Sequence, residues 1–465
     1  MDTSMQAPFD IAADLDTPVS AYMKLKPLKP RFLLESVEGG ERLARYSFLG
    51  FGDSVDIRFD ENGLRRGDEP AIHPQTQDDY LDFLRKALDA VPSLSPDVPG
   101  LPFNGGLVGV SGYDVVRLFE RLPKAKAPQT GIPMAAFSAP SSLLVFDHLT
   151  RRVALLHEGS DAERAALRGE VTKLLRGAVP PRSNHVEISE PAASMTEAEF
   201  SERVEACKEY IAAGDIYQIV MSVLFSGRSN VEPFEVYRAT RLLNPSPYMF
   251  FLEFDELKVV GSSPEALVKL NGRTASLRPI AGTLPRGADA EEDLANEKKL
   301  LADPKESAEH VMLVDLARND LGRVASAGSV VVEPYRAIER YSHVMHIVSG
   351  VQGELDQQYD AFDLFAASFP AGTLVGAPKV RAMEIIEEME PCGRGLYAGT
   401  AGYFGVGGDM DQAITIRTLV FNGDEYSFQA GAGIVADSVP ANEYREVLAK
   451  SAILRRALAI AGEGL

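Results

Sequence analysis

Along residues 305–323 the apolar side chains Val311, Val314 and Leu321, with Met312, Leu313 and Leu316, recur at intervals of three, four and seven. That period predicts a helix, and the density of apolar positions predicts that it is largely buried. Glu306 and Glu309 share one face of it, three residues apart. Two like charges so placed repel unless a cation or a proton sits between them. A second pair with the same spacing, Glu443 and Glu446, lies on another predicted helix. Acid pairs converging from two helices suit a hard cation such as Mg²⁺ holding an anionic ligand; the same spacing is also common on solvated helices, so spacing alone leaves both readings open.

Elsewhere the hydrophobic pattern alternates between the two periods. Residues 31–36, 45–50, 141–146 and 152–157 read as strands, the last two as a pair across a turn near Asp147, with a turn at Glu38, Gly39 and Gly40. Tyr80, Leu81, Leu84, Leu88 and Val91 predict a helix over 78–91, and the glycine-rich 103–110 predicts a tightly packed strand. Prolines 180, 181 and 191 mark a linker over 177–193, which divides the chain into an N-terminal region, 1–190, and a second domain, 191–465. Thr196 and Glu199 form a capping box opening a helix that runs to about Gly214. Strands are then predicted at 216–222, 252–260, 265–270, 278–283, 342–349, 397–404, 413–420 and 429–435, with a loop through Pro370, Gly372, Thr373 and Pro378 leading into a helix. The antiparallel character predicts an α+β fold.

Composition narrows the chemistry. With 47 Lys+Arg against 67 Asp+Glu the formal net charge is −20 over 465 residues. This disfavours nucleic acid and anionic membrane as partners, because both need a basic surface. Cys207 and Cys392 are too few for a disulfide framework or a zinc site, and Cys207 falls on the apolar stripe of Phe200, Val204 and Ile211. The first 25 residues lack the apolar run of a secretory signal, and no segment has the roughly 18 apolar residues of a membrane span. A cytoplasmic location is the expectation.

Several ordered blocks carry a resemblance: Ile216-Tyr217-Gln218, Gly261-Ser262-Ser263-Pro264-Glu265, residues 278–283, residues 305–323, residues 342–349, Thr415-Ile416-Arg417-Thr418 and residues 429–435. In these the chain resembles anthranilate synthase component I, within the chorismate-utilising enzymes, over nearly its whole length. The resemblance implies two packed antiparallel β-sheets flanked by helices, with the active site between them. It also implies a Mg²⁺-dependent lyase that converts chorismate and ammonia to anthranilate and pyruvate, the first step of tryptophan synthesis. Where isochorismate and salicylate synthases place a lysine that activates water, this chain has Gln218, and an amide cannot be that base. Where aminodeoxychorismate synthases carry a nucleophilic lysine, it has Ala281. Aminodeoxychorismate synthase component I and a non-catalytic tryptophan-binding regulator are the remaining alternatives.

By the same resemblance Glu309 and Glu446 are the metal ligands, with Glu306 and Glu443 as companion carboxylates. Glu265 is the general acid toward the C4 hydroxyl, and His346 assists hydroxyl departure and the loss of pyruvate. Thr373 is a further catalytic candidate, although its position also suits a helix cap. Arg417 is expected to grip the pyruvyl carboxylate with its planar fork. Tyr397, Gly282, Thr283 and the amides of Gly431, Ala432 and Gly433 supply the other substrate contacts. His310 and His343 are expected to be structural, and Lys450 to pair within its own helix. Ser36, Pro247, Tyr248 and Met249 fall in blocks resembling the family's tryptophan-binding site, which predicts feedback inhibition. Neither cysteine has the glycine-flanked setting of a glutaminase nucleophile, so glutamine use requires a separate glutaminase subunit and hence a hetero-oligomer.

Overall fold

The computed structural model describes residues 8–36, 45–123, 126, 129, 131–181, 186–340 and 344–465. The expected turn at Glu38, Gly39 and Gly40, and Ser342 and His343 at the start of the expected strand 342–349, lie outside them. Strand pairing among the described residues is antiparallel throughout.

Two long strands organise it. Tyr46–Asp60 and Ala135–Asp147 pair from Tyr46↔Asp147 to Phe59↔Ala135, with a register shift between Phe51 and Ser54. Gly52, at φ +91°, takes the bend in a conformation that suits glycine. On one side of the bend their neighbours are Pro30–Glu35 and Arg152–His157; on the other they are Gly63–Arg66 and Gly106–Ser111. Each long strand therefore passes through two sheets. The first sheet continues from Pro30–Glu35 through Tyr248–Phe254, Leu257–Ser263, Thr418–Asn422 and Glu425–Ile434 to Gln218–Arg228. The second continues from Gly106–Ser111 through Thr400–Gly405, Met410–Ile414, Ala266–Asn271 and Thr274–Leu277 to Val351–Glu354.

The sheets face each other across one core, in which Phe48 meets Phe103 edge-on at 5.6 Å and Tyr403 lies 4.6 Å from Phe103. The larger core lies under the helices: Tyr80 and Leu84 of Gln77–Asp89, Phe200, Val204 and Cys207 of Glu197–Ala212, and Leu454 and Leu458 of Pro440–Glu463. Burial pushes the Cys207 thiol up to about 12, as befits a small core side chain. The architecture is the expected α+β arrangement, and strands from both sides of residue 190 share each sheet, Pro30–Glu35 with Tyr248–Phe254 and Gly106–Ser111 with Thr400–Gly405. A small third sheet of Ile280–Pro285, Val344–Val348 and Ala337–Arg340 has its own core of Leu300, Met345 and Ile347. No helix among the described residues is long and apolar enough to cross a membrane.

Three expectations are corrected. The helix Pro304–Gly322 buries His310, Leu313, Val314, Ala317, Asp320 and Leu321, but Val311 is 48% exposed. One face is open, so the helix is only part buried, and the buried face includes the polar His310 and Asp320. Residues 252–260 form a hairpin, Tyr248–Phe254 and Leu257–Ser263, turning at Asp255 with φ +49°. Residues 413–420 are not one strand: Met410–Ile414 ends in the second sheet and Thr418–Asn422 begins in the first.

Candidate active site

The chain crosses between the sheets twice at neighbouring points. Leu257–Ser263 belongs to the first sheet and Ala266–Asn271 to the second, so Glu265 sits on the link. Met410–Ile414 and Thr418–Asn422 make the reverse crossing, so Arg417 sits on the other, in a left-handed conformation at φ +50°. The crossings are bound together: the Ile414 amide donates to the Glu265 carbonyl at 3.0 Å, and the Ser262 amide to the Arg417 carbonyl at 3.2 Å. Two side chains of opposite charge are thus fixed by the way the sheets are joined.

Burial raises the Glu265 carboxyl to about 7, against a hydrogen bond from Thr373 and the nearby Lys450, which both lower it. Near neutrality it is a proton donor that a solvated glutamate could not be. Thr373 Oγ1 donates to Glu265 Oε1 at 2.8 Å. Thr373 lies inside the short helix Gly372–Val375, whose cap residue Ala371 offers no side chain, so its hydroxyl serves the acid and not a helix end. Arg417 is lowered from the ordinary arginine value by burial, opposed by Tyr397 and Glu446. Burial lifts the Tyr397 phenol to about 12. A side chain at Gly431 would meet the Tyr397 hydroxyl at 2.7 Å, so glycine is required for that approach.

Gly431, Ala432 and Gly433 lie opposite Ser222, Met221 and Val220. On their other side the ladder with Thr418–Asn422 ends at Phe428, which leaves that edge open. Lys450 Nζ reaches it, donating to the Gly431 carbonyl at 2.9 Å while pairing with Glu446 at 2.6 Å. Lys450 therefore does more than pair within its helix; its four-residue spacing from Glu446 was the sequence signal. Gln218 packs its amide nitrogen over Gly433, and Ala281 is buried.

His346 and Thr283 face each other across the small sheet. His346 Nδ1 lies 3.2 Å from the Gly282 carbonyl and 3.0 Å from Thr283 Oγ1, and the carbonyl fixes Nδ1 as the protonated nitrogen. Burial holds the imidazole below its ordinary value, hence neutral near pH 7. Gly282, at φ +71° in a bulge, brings the backbone to within reach of Glu306 Oε2. His310 is a packed histidine: its Nε2 lies 2.7 Å from Ser349 Oγ, and burial pushes it down to about 4. His343 lies outside the described residues.

The four remaining carboxylates stay as two pairs. Glu306 is raised by burial and then by Glu309; Glu443 is raised by burial and, after the opposing Ser438 hydrogen bond, by Glu446. Lys305 lowers both raised groups and pairs with Asp437 at 3.2 Å, tying the two helix starts together. Among the described residues no three His, Cys, Asp or Glu side chains come together as a metal-ligand cluster. The donors are hard oxygens, four carboxylates of which Lys450 pairs only with Glu446, and these fit Mg²⁺, an ion that takes one or two protein carboxylates and completes its shell with water and substrate.

A separate cavity of about 290 Å³ opens between the sheets, and Ser36, Pro247, Tyr248 and Met249 all line it. Leu34, Phe48 and Pro102 form apolar wall, while Asp411, hydrogen-bonded to Tyr248 and paired with Lys269 at 3.2 Å, is a polar pole.

Not foreseen from sequence is a buried ion pair behind the site. Arg394 bridges Glu390, the Leu374 carbonyl and the Val220 carbonyl, each at 2.7–2.9 Å, and lies over the rings of Tyr113 and Tyr397. The one local sign was an acid four residues before a base at a helix end.

Residues 29–456 match the family described as chorismate binding enzyme. Anthranilate synthase component 1 of Pseudomonas putida is 45% identical, covering 97% of this chain and 94% of that one. The same component of Thermus thermophilus is also 45% identical, covering 97% of each. The crystal structure of anthranilate synthase component I from Streptococcus pneumoniae superposes with a TM-score of 0.78 at 35% identity, over 96% of this chain and 99% of that chain. On its two-sheet architecture, and on likeness over nearly its full length, the chain belongs to the chorismate binding enzymes, among the anthranilate synthase component 1 proteins.

Proposed function

We propose that this chain is the aminating subunit of an anthranilate synthase, turning chorismate and ammonia into anthranilate, pyruvate and water at the start of tryptophan synthesis. One observation carries the reading. Glu265 is an acid poised at about 7, while Gln218, over Gly433, and the buried Ala281 offer neither a base for water nor a nucleophile. Ammonia is left to form the bond at C2. As the C2–N bond forms and the C4–O bond breaks, Glu265 gives its proton to the departing hydroxyl, which leaves as water. Loss of the C2 proton and of the enolpyruvyl group, as pyruvate, then makes the ring aromatic. His346, neutral near pH 7 and oriented through Nδ1, is the group suited to take a proton there.

Arg417 and the open edge at Gly431 suit the two substrate carboxylates. Glu309 and Glu446 would hold Mg²⁺, with Glu306 and Glu443 as companions; bound there, the ion would neutralise the ring carboxylate. The glutaminase partner, component II, would supply ammonia from glutamine. The cavity at Ser36, Pro247, Tyr248 and Met249 has the size for L-tryptophan as inhibitor, and its lining combines apolar wall with the charged groups Glu35, Arg45, Lys269 and Asp411.

The test is anthranilate fluorescence from purified chain, chorismate, Mg²⁺ and ammonium. Product is expected with ammonium and not with glutamine alone, and exhaustive chelation abolishes it. Glu265→Gln lowers kcat by about 10²–10⁴. At fixed free ammonia the wild-type rate falls as pH rises through about 7, as the acid loses its proton. Formation of a hydroxylated product without ammonium, or a Glu265→Gln rate equal to wild type, would overturn the reading.

A further inference from the structure

Between the cavity and the crossing that carries Arg417 lies the completely buried hydroxyl of Ser262. Its strand, Leu257–Ser263, is hydrogen-bonded on both sides. Ser262 lies opposite Met249 and Ser263 opposite Tyr248, both residues of the cavity wall. On the other edge Gly261 lies opposite Thr418, and the Ser262 amide holds the Arg417 carbonyl at 3.2 Å. One residue further on, the Glu265 amide donates to Ser263 Oγ.

The Ser262 hydroxyl works in the opposite direction. It accepts from Asn244 Nδ2 at 2.9 Å, and its single proton has two acceptors in reach, the Asn244 carbonyl and Ser246 Oγ, the latter at 3.1 Å. Ser246, itself buried, reaches in turn the Tyr248 carbonyl at 3.4 Å and the Met249 sulfur at 3.5 Å. Choosing one acceptor or the other is a two-arrangement network, and its far end is the wall that a ligand would press on. Next to it Gly261 packs directly under the Phe250 ring, where a Cβ would clash.

We infer that Ser262 couples the cavity to the catalytic site, its side chain reading the position of residues 244–249 and its backbone passing any displacement to Arg417 and Glu265. This rests on the reading of the cavity as a tryptophan site. The two functions are separable, because replacing the hydroxyl leaves the amide that holds Arg417 in place. Ser262→Ala removes the pin to Asn244 and Ser246 without adding bulk, and Ser246→Ala breaks the same network one residue away.

The experiment compares L-tryptophan binding, by calorimetry, with L-tryptophan inhibition of ammonia-dependent turnover, in wild type and both variants. The coupling role requires a split. In Ser262→Ala the dissociation constant stays within threefold of wild type while the inhibition midpoint rises at least tenfold, uninhibited kcat and KM stay within twofold, and Ser246→Ala moves the same way. Wild-type inhibition in Ser262→Ala overturns the inference and leaves the tryptophan reading standing. Parallel loss of binding and inhibition also overturns it, since Ser262 would then merely build the pocket. Absence of tryptophan binding in the wild type overturns the reading beneath it, and the inference with it.

Discussion

Two sets of charged side chains meet at this site and are treated in opposite ways. Glu390 and Arg394 are each only 2% exposed, and all of their charge is answered from within: two hydrogen bonds between them, the amide and hydroxyl of Ser222 on the carboxylate, two carbonyls on the guanidinium. Glu306 with Glu309, and Glu443 with Glu446, are partly open, and each pair sets like charges side by side. The closed pair holds position. Through Leu374 it fixes the short helix bearing Thr373, and through Val220 and Ser222 the strand opposite Gly431 and Gly433. The open pairs keep a repulsion that Lys305 and Lys450 only partly offset, since Glu306 and Glu443 both remain raised. Buried charge serves as frame where it is satisfied and as binding potential where it is not.

The sharpest way to break this comparison is to unpair the frame. Arg394→Met leaves Glu390 buried without a countercharge, which costs about 3–5 kcal/mol of stability. Glu390→Leu in the same chain removes the orphan, and the double variant recovers most of that loss in urea unfolding. Its turnover stays low, because an apolar pair cannot hold the Leu374 and Val220 carbonyls. A double variant with wild-type turnover would show that the pair supports folding and nothing else.

The open pairs predict the reverse pattern. Glu306→Gln relieves repulsion, so the apoprotein gains about 0.2–0.5 kcal/mol, while the Mg²⁺ concentration for half-maximal activity rises about 10–100-fold. The sign of the pH effect follows from linkage. Glu306 is raised above the ordinary 4.5, so between that value and its raised one the native state holds a proton that the unfolded chain has released. Wild-type stability without metal therefore falls as pH rises through this window, and Glu306→Gln flattens the slope. An unchanged slope would remove the like-charge argument.

The same contrast explains what could be read from sequence. Glu306 and Glu309 were visible because helical spacing alone puts them on one face, and the Thr196–Glu199 capping box because it is a four-residue event; the structure has it as expected. The strand at 31–36 and the pair near Asp147 were legible as short apolar runs bounded by turn residues. What alternation cannot carry is a strand that changes sheets. Tyr46–Asp60 runs on for 15 residues through a bend, and the break at Arg417 depends on where the two sheets meet. Periodicity likewise marks an apolar face without saying what covers it, which is why half-exposed Val311 was placed inside. The Glu390–Arg394 pair was hidden for a related reason, since its partners Val220 and Ser222 are some 170 residues away in the chain.

The smallest effect separates holding an acid from being one. The Thr373 hydrogen bond is among the forces lowering the Glu265 carboxyl, against the burial that raises it. Thr373→Val keeps the shape of the short helix and removes that bond. The value of about 7 must then rise, and the alkaline limb of the pH–rate profile, at fixed free ammonia, moves to higher pH. A neutral hydrogen bond contributes about 0.5–1.5 kcal/mol, so the rate on the plateau falls by no more than about tenfold. If Thr373 instead handled a proton of the substrate, the plateau would drop by about 10²–10⁴ and the limb would stay where it was. A shifted limb with a modest loss assigns Thr373 to the support of Glu265; a fixed limb with a large loss makes it a second catalytic group, and the site would then have open chemistry on both sides of the crossing.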